Sequence, residues 1–439
     1  MHTGSPNHAP RWRLDTIYRG VDSDAYRRDR ARLTELVAEF ARRVCDDDDR
    51  RDDPGGWLSA VIESLNTLLD THENLDAFVY SSYTTDTTNA ELVRELDALQ
   101  EIVRPVQSAR AELRSRLAAM GTELLELAET DERIAPYRFF LEEERYYAEH
   151  QMSPAEEDLA ADLSRPGADA WSRLQQTVSS TLSVDWADGE KKTVVDLRGL
   201  AHDPDRATRE RAYRLELDAW RSVEVPMAAA LNGVKGFAVI LDGRRGYSRS
   251  LERAILQSRI SRETLDALIA VMEESLPLFR RYLTRKAEHL GVGRLAFYDL
   301  FAPVGASPGT WTFAAAREFI VRQFRGFSEE LADFAERAFK GRWIDAEPRE
   351  GKVGGGYCIS FPLAGESRIL CNFDGSFDGV GTVAHELGHA YHHEVLKDAA
   401  AVHRAYPMTL AETASIFCET IAFSGGLADA SPSEELHVL

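Results

Sequence analysis

The pentapeptide His385-Glu386-Leu387-Gly388-His389 constrains its surroundings more than any other stretch of the 439 residues. In a helix, positions four apart share a face and lie roughly 6 Å apart along the axis. Helical backbone here therefore brings the imidazoles of His385 and His389 to one point, where two nitrogens can hold one zinc ion. Glu386 points beside that point, placed to hold and deprotonate a water on the metal. Val383, Leu387 and Ala390 form an apolar strip next to the imidazole face, which calls for burial against another element. Gly388 weakens the helix by about 1 kcal/mol relative to alanine, and a residue that small lets another segment approach closely.

A five-residue pattern also arises by chance, so its weight depends on a third ligand, since a catalytic zinc takes three protein ligands and keeps an open position. The stretch Leu410–Thr420, read as a helix, carries Glu412, Ser415, Ile416 and Glu419 on one face. Glu412 can complete the set, and Glu419, two turns on, can orient an imidazole through its other nitrogen. A set of two histidines and one glutamate favours zinc over manganese or cobalt, with one ion per chain.

Bulk properties narrow the partners. A net charge of -21, from 52 Lys and Arg against 73 Asp and Glu, disfavours nucleic acid or an anionic membrane. Hydrophobic residues at 44% and charged residues at 28% belong to a globular chain long enough for two or three domains. Cys45, Cys358, Cys371 and Cys418 lack short paired spacings, so reduced thiols are expected and not a disulfide frame or a cysteine zinc site. Residues 1–6 lack the apolar core of a signal peptide. The longest apolar stretch, 225–241, is interrupted by Pro226, Asn232 and Lys235 and reads as a core helix or helix pair, not a membrane span. A cytoplasmic chain is expected.

Helical periodicity runs through most of the sequence. Leu33, Leu36, Val37, Phe40 and Val44 mark a helix, and the aspartates at 46–49, with Asp53-Pro54-Gly55-Gly56, predict a solvated loop after it. Leu58, Val61, Ile62, Leu65 and Leu69 mark the next helix. Leu92, Leu96, Leu99 and Val103 mark a long one over 89–118, kinked at Pro105. Ser153-Pro154-Ala155-Glu156 has the pattern of a capping box with proline at the first helical position. Segments 183–186 and 193–195 around Asp188-Gly189 predict a hairpin, and Asp203-Pro204 and Ser261 predict helix starts, the latter for a stripe of Leu265, Leu268, Ile269 and Met272. This organisation suggests an N-terminal helical domain over 1–190 and a catalytic domain over 191–439.

Segments 354–361 and 368–373 read as two strands joined by 362–366, immediately before the His385 helix. An extended strand there can pair with a peptide backbone over the metal, with Gly355, Gly356 and Tyr357 as contacts. A structural hairpin with a flexible glycine turn and a buried Tyr357 fits the same residues. His392 lies about 10 Å beyond His385 along the axis, too far to share the ion, so it supports the site from behind or packs. His393 points elsewhere, and His403 lies in the following loop within reach of a substrate.

Taken together, Trp343-Ile344-Asp345 with Pro348-Arg349 and Gly351-Lys352, then 355–358, Asn372-Phe373, the His385 motif and 411–415 with Glu419, resemble the thimet-oligopeptidase family of zinc peptidases, in its oligoendopeptidase F branch. The likeness extends more loosely over 203–300 and to Trp12-Arg13-Leu14. It implies a mainly α, multi-helix, zincin-like fold with a deep substrate channel and a small β-sheet next to the zinc helix. It also implies His385, His389 and Glu412 as ligands of one Zn2+, Glu386 as general base, and hydrolysis inside short unfolded oligopeptides. Family members continue past the ligand glutamate with helices whose tyrosines and histidines line the channel, whereas this sequence ends at Leu439. The catalytic domain is therefore expected to be short at its C-terminal end. Three functional readings follow: an endopeptidase, alone or with a complementing chain; a zinc- and peptide-binding remnant; and a carboxypeptidase-type hydrolase.

Overall fold

The computed structural model describes residues 9–187, 189–305, 309–349, 351–432 and 434–435. The chain forms two compact units, one assembled from the segments Met1–Pro154 and Gly309–Ala430, the other from Ala155–Pro308.

The first unit opens with α1 (Asp24–Val44), α2 (Asp47–Asp52), α3 (Pro54–Thr85), α4 (Ala90–Met120), α5 (Thr122–Thr130) and α6 (Arg138–Glu149). Side-chain caps start the long ones: Ser23 accepts from the Tyr26 N–H, Asp53 from Gly56, and Asn89 from Glu91 and Leu92. The predicted stripes are the buried ones. Leu33, Leu36, Phe40 and Val44 of α1 meet Leu58, Val61, Ile62 and Leu65 of α3 and Leu99 of α4 in one cluster. Each such side chain contributes on the order of 2 kcal/mol by leaving water. Phe361 and Val402, from far along the chain, belong to the same cluster. That shared core is why the first 154 residues group with the C-terminal third, while position 190 falls inside a hairpin of the other unit.

Two local expectations change here. The aspartate run is the helix α2 and not a loop: Asp46 accepts from the Asp49 N–H, acidic residues fill the first turn, and Arg50 and Arg51 fill the last. Those charges complement the helix dipole at both ends, which outweighs the modest propensity of aspartate. Pro54 opens α3 instead of ending a segment, and α4 continues through Pro105 to Met120.

The second unit contains α7 (Pro154–Ser164), α8 (Ala170–Thr181), β1 (Ser183–Ala187), β2 (Glu190–Thr193), α9 (Val194–Gly199), α10 (Arg206–Ser222), α11 (Glu224–Arg244), α12 (Ser250–Gln257) and α13 (Arg262–His289). The hairpin pairs antiparallel with Ser183 opposite Thr193. It is shorter than predicted because Thr193 and Asp196 form a capping box that starts α9; Asp188 of the expected turn lies outside the described residues. Asp205 caps α10, two residues past the expected start, and Ser261 caps α13 as predicted. Buried Asp299 is held by Arg206 at 2.9 Å and Arg209 at 3.1 Å.

The stretch 225–241 is one helix, α11, but not a core helix. Val225, Leu231, Val239 and Ile240 are exposed, as are Leu268, Ile269 and Met272 of α13. By length and composition, α11 is the one helix among the described residues that suffices to cross a membrane. Lys235 near its middle opposes that at about 3 kcal/mol.

Returning to the first unit, α14 (Phe313–Phe327) and α15 (Glu329–Lys340) lead into β3 (Ile344–Asp345), β4 (Tyr357–Phe361) and β5 (Glu366–Leu370). Then come α16 (Phe377–Leu396), α17 (Ala401–Arg404) and α18 (Met408–Asp429). The sheet order is β3-β5-β4, with β4 antiparallel and β3 parallel to β5. The two-residue β3 is too short to leave an alternation pattern. α16 lies between the sheet and α18, burying Phe377, Val380, Val383, Leu387 and Ala390. A Cβ on Gly388 would stand 2.5 Å from the Ala414 carbonyl oxygen and 2.6 Å from Ser415 Cα, so the crossing with α18 requires glycine there.

Candidate metal centre

Two helices build the site. Ser376 caps α16 through the Gly379 N–H at 2.9 Å and is itself held by Asp374. This fixes the register in which His385 and His389 face away from the buried strip, their ring centroids 5.0 Å apart. On α18, Glu412 lies within the first two turns, and its Oε2 is 3.1 Å from His385 Nε2 and 3.3 Å from His389 Nε2. The three potential ligand atoms all lie within 4.8 Å of one another.

Their surroundings set the protonation states. Glu419 Oε2 is 2.9 Å from His385 Nδ1, a carboxylate placed to accept an N–H there and to hold the ring with Nε2 towards Glu412. Ser415, fully buried, donates to Glu412 Oε2 at 2.6 Å, and this bond, more than the two histidines, lowers the Glu412 pKa. Burial lowers the pKa of His389 despite the opposing pull of Glu412, favouring the neutral imidazole. A carboxylate oxygen and two imidazole lone pairs converging on one point repel each other unless a cation lies among them. The donor set of two nitrogens and one oxygen, with no sulfur, fits Zn2+.

Glu386 faces the sheet side. Its carboxyl is buried, its Oε2 has no hydrogen-bond partner, and an added Cβ on Gly356 would lie 3.0 Å from its Oε1. Burial, reinforced by the charge of Glu412 and opposed by His385, pushes its pKa up to about 7. A carboxyl poised there can take up and return a proton at neutral pH.

The other candidates are distributed as follows. Gly355 and Gly356 lie on the loop entering β4, the edge strand, beside Glu386. Tyr357 is turned into the first unit: its hydroxyl meets Thr84 Oγ1 at 2.6 Å and its ring packs on Trp12 and Tyr80. His392 is not among the three donors; it stacks on Tyr406, centroids 4.4 Å apart, with a buried Nδ1 lacking a partner. His393 is half-buried between Ser367, 3.2 Å from its Nδ1, and Tyr406, 3.3 Å from its Nε2. His403 meets the Pro136 carbonyl at 3.1 Å and stacks on Tyr137. The expected face of α18 divides, with Ser415 buried and Ile416 exposed. The role of Tyr406 was not anticipated, because it depends on a loop whose path leaves no periodic signal.

Comparison with known proteins places these features in context. The model of peptidase family M3 matches residues 320–434, and that of the oligopeptidase F N-terminal region matches residues 117–183. Oligopeptidase PepF of Bacillus subtilis is 22% identical over 422 residues, covering 93% of this chain and 61% of that protein. Group B oligopeptidase PepB of Streptococcus agalactiae is 24% identical over 394 residues, covering 84% of this chain and 64% of that one. The chain thus spans less than two thirds of the length of either relative. A Chlamydophila abortus structure assigned as a peptidase shares the fold with a TM-score of 0.74 at 20% identity, over 99% of this chain and 73% of that one.

Proposed function

We propose that the chain, which is similar to peptidase family M3 over residues 320–434 and to oligopeptidase F over 117–183, is a zinc-dependent endopeptidase acting on short, unfolded oligopeptides. The observation that carries this reading is the convergence of His385, His389 and Glu412 beside a buried carboxyl, Glu386, whose pKa is raised to about 7. His385, His389 and Glu412 would hold the ion. When bound, zinc supplies a Lewis acid that polarises the scissile carbonyl and acidifies water.

The chain's own residues supply the remaining parts. Glu386 accepts a proton from the attacking water and delivers it to the departing amine, so no covalent intermediate is needed. Glu419 holds the His385 ring and its tautomer, and Ser415 holds Glu412. The Gly355-Gly356 backbone beside Glu386 offers a substrate backbone a close approach at the edge of the sheet, with Tyr357 anchoring that edge to α3. His392 and Tyr406 support the site from behind as a stacked pair.

The test is cleavage of an internally quenched short peptide by the zinc-loaded chain, with Glu386→Gln as control. Chelator-sensitive internal cleavage, reduced at least about a hundredfold in the control, is expected. Zinc bound without turnover would overturn the enzyme reading in favour of a binding protein. Stepwise loss of terminal residues would overturn the endopeptidase mode.

A further inference from the structure

The loop that shields Glu386 is itself held in place by residues outside the chemistry above. Gly354, Gly355 and Gly356 lead into β4, and Gly355 has φ +83°, a left-handed conformation that strains any residue with a Cβ. Glycine loses more backbone freedom on ordering than any other residue, so such a segment stays in one place only when tied. Asn372, two residues past β5, ties it. Its Nδ2 donates to the Val353 carbonyl at 3.0 Å and to the Gly355 carbonyl at 3.1 Å, one on each side of Gly354.

The entry to the loop is fixed independently. Lys352 is buried to its tip, and its Nζ donates to the carbonyls of Cys371 at 2.6 Å and of Asp345 and Glu347 at 3.1 Å each. It also lies 2.8 Å from Asp345 Oδ1. The Val353 N–H reaches the Thr84 carbonyl at 2.9 Å, at the end of α3. Between this anchor and the start of β4, Asn372 supplies the only side-chain donor to the loop carbonyls among the hydrogen bonds of the described residues. The loop then passes Glu386 so closely that a methyl group on Gly356 would lie 3.0 Å from its Oε1 and 3.3 Å from the Leu370 carbonyl, a tight contact.

We propose that Asn372 is a positioning residue whose amide clamps the glycine loop against Glu386 and keeps water from the inner side of that carboxyl. This rests on Glu386 being the general base. Both groups that Asn372 meets are carbonyls, so the donor matters more than the shape. Asn372→Asp keeps the shape and presents lone pairs; Asn372→Ala removes the group. Lys352 is left intact in the test, because its removal takes a buried cation from Asp345, leaving Arg349 as its ion-pair partner, and frees three backbone carbonyls at once.

Amide hydrogen exchange of the metal-free chain and steady-state kinetics of the zinc-loaded chain test the clamp together. In both variants, exchange of residues 353–357 is expected to speed up at least about tenfold, with α16 and α18 as protected as in the wild type. Zinc stoichiometry stays at one, kcat falls about tenfold or more, and KM changes by less than about threefold. Unchanged loop exchange overturns the proposal, as does a loosened loop with full kcat, or loss of protection spreading to both helices. If the wild type itself shows no turnover, the peptidase reading fails, and the exchange measurement alone decides whether Asn372 holds the loop.

Discussion

Glu412 presents its oxygen to two imidazoles because Ser415, one turn further on, holds it there. Ser415→Ala is expected to weaken zinc binding by about 10- to 100-fold, measured by competition with a chromogenic chelator, because the carboxylate loses the bond that orients it. Gly356→Ala tests the other side of the centre. The new methyl would press on Glu386 Oε1, so kcat should fall roughly tenfold to a hundredfold while zinc stoichiometry is kept. His393, one turn beyond His389 on α16, gives a titration of its own. Burial, aided by the nearby His392, His389 and Arg404, depresses its pKa to about 4, against an ordinary 6.5. The unfolded chain therefore takes up this proton first as pH falls. The stabilisation is complete above about pH 6.5 and is lost progressively towards pH 4, about 3 kcal/mol in all. Urea midpoints at pH 7.5 and pH 5 should show this slope in the wild type, and His393→Gln should flatten it.

At the scale of elements, the site depends on how closely α16 and α18 cross. Gly388→Ala places a carbon 2.5 Å from a backbone oxygen that cannot rotate away, so the helices must separate. The expected destabilisation is about 1–3 kcal/mol, read from the urea midpoint, with weakened zinc affinity because the donors are divided between the two helices. The pattern of legibility follows from this arrangement. His385, His389 and Glu386 were legible because their relation is local to one helix, and Glu412 with Glu419 because a second helix repeats the same periodicity. The closeness implied by Gly388 was legible as a small residue, but its partner was not. Asn372 and Lys352 were legible only as parts of the family resemblance and not in their roles, since their acceptors are backbone carbonyls whose positions depend on the finished fold. The aspartates of α2 were misread because composition was weighed without the dipole and the cap that their order supplies.

At the scale of the molecule, an ion at His385, His389 and Glu412 would join two helices of one unit, α16 and α18. Zinc at a hundred times its dissociation constant adds about 2.7 kcal/mol to whatever unfolds with the site. Chelation should therefore increase exchange in α16 and α18 and leave α10 and α13 unchanged; uniform loosening would contradict independent units. The grouping of α1 and α3 with the C-terminal third was not legible, because Phe361 and Val402 join their core only in three dimensions. One surface feature also bears on handling the protein. Met408, Leu410, Ile416 and Phe417 of α18 and the adjacent Phe327 lie open to solvent, as does the apolar side of α11. Electrostatic repulsion from a net charge of -21 is the force that keeps such greasy patches on separate copies apart. Added salt shortens the range of that repulsion from about 30 Å at 0.01 M to about 3 Å at 1 M. Light scattering should accordingly show particles growing as sodium chloride is raised, and shrinking again on dilution into low-salt buffer.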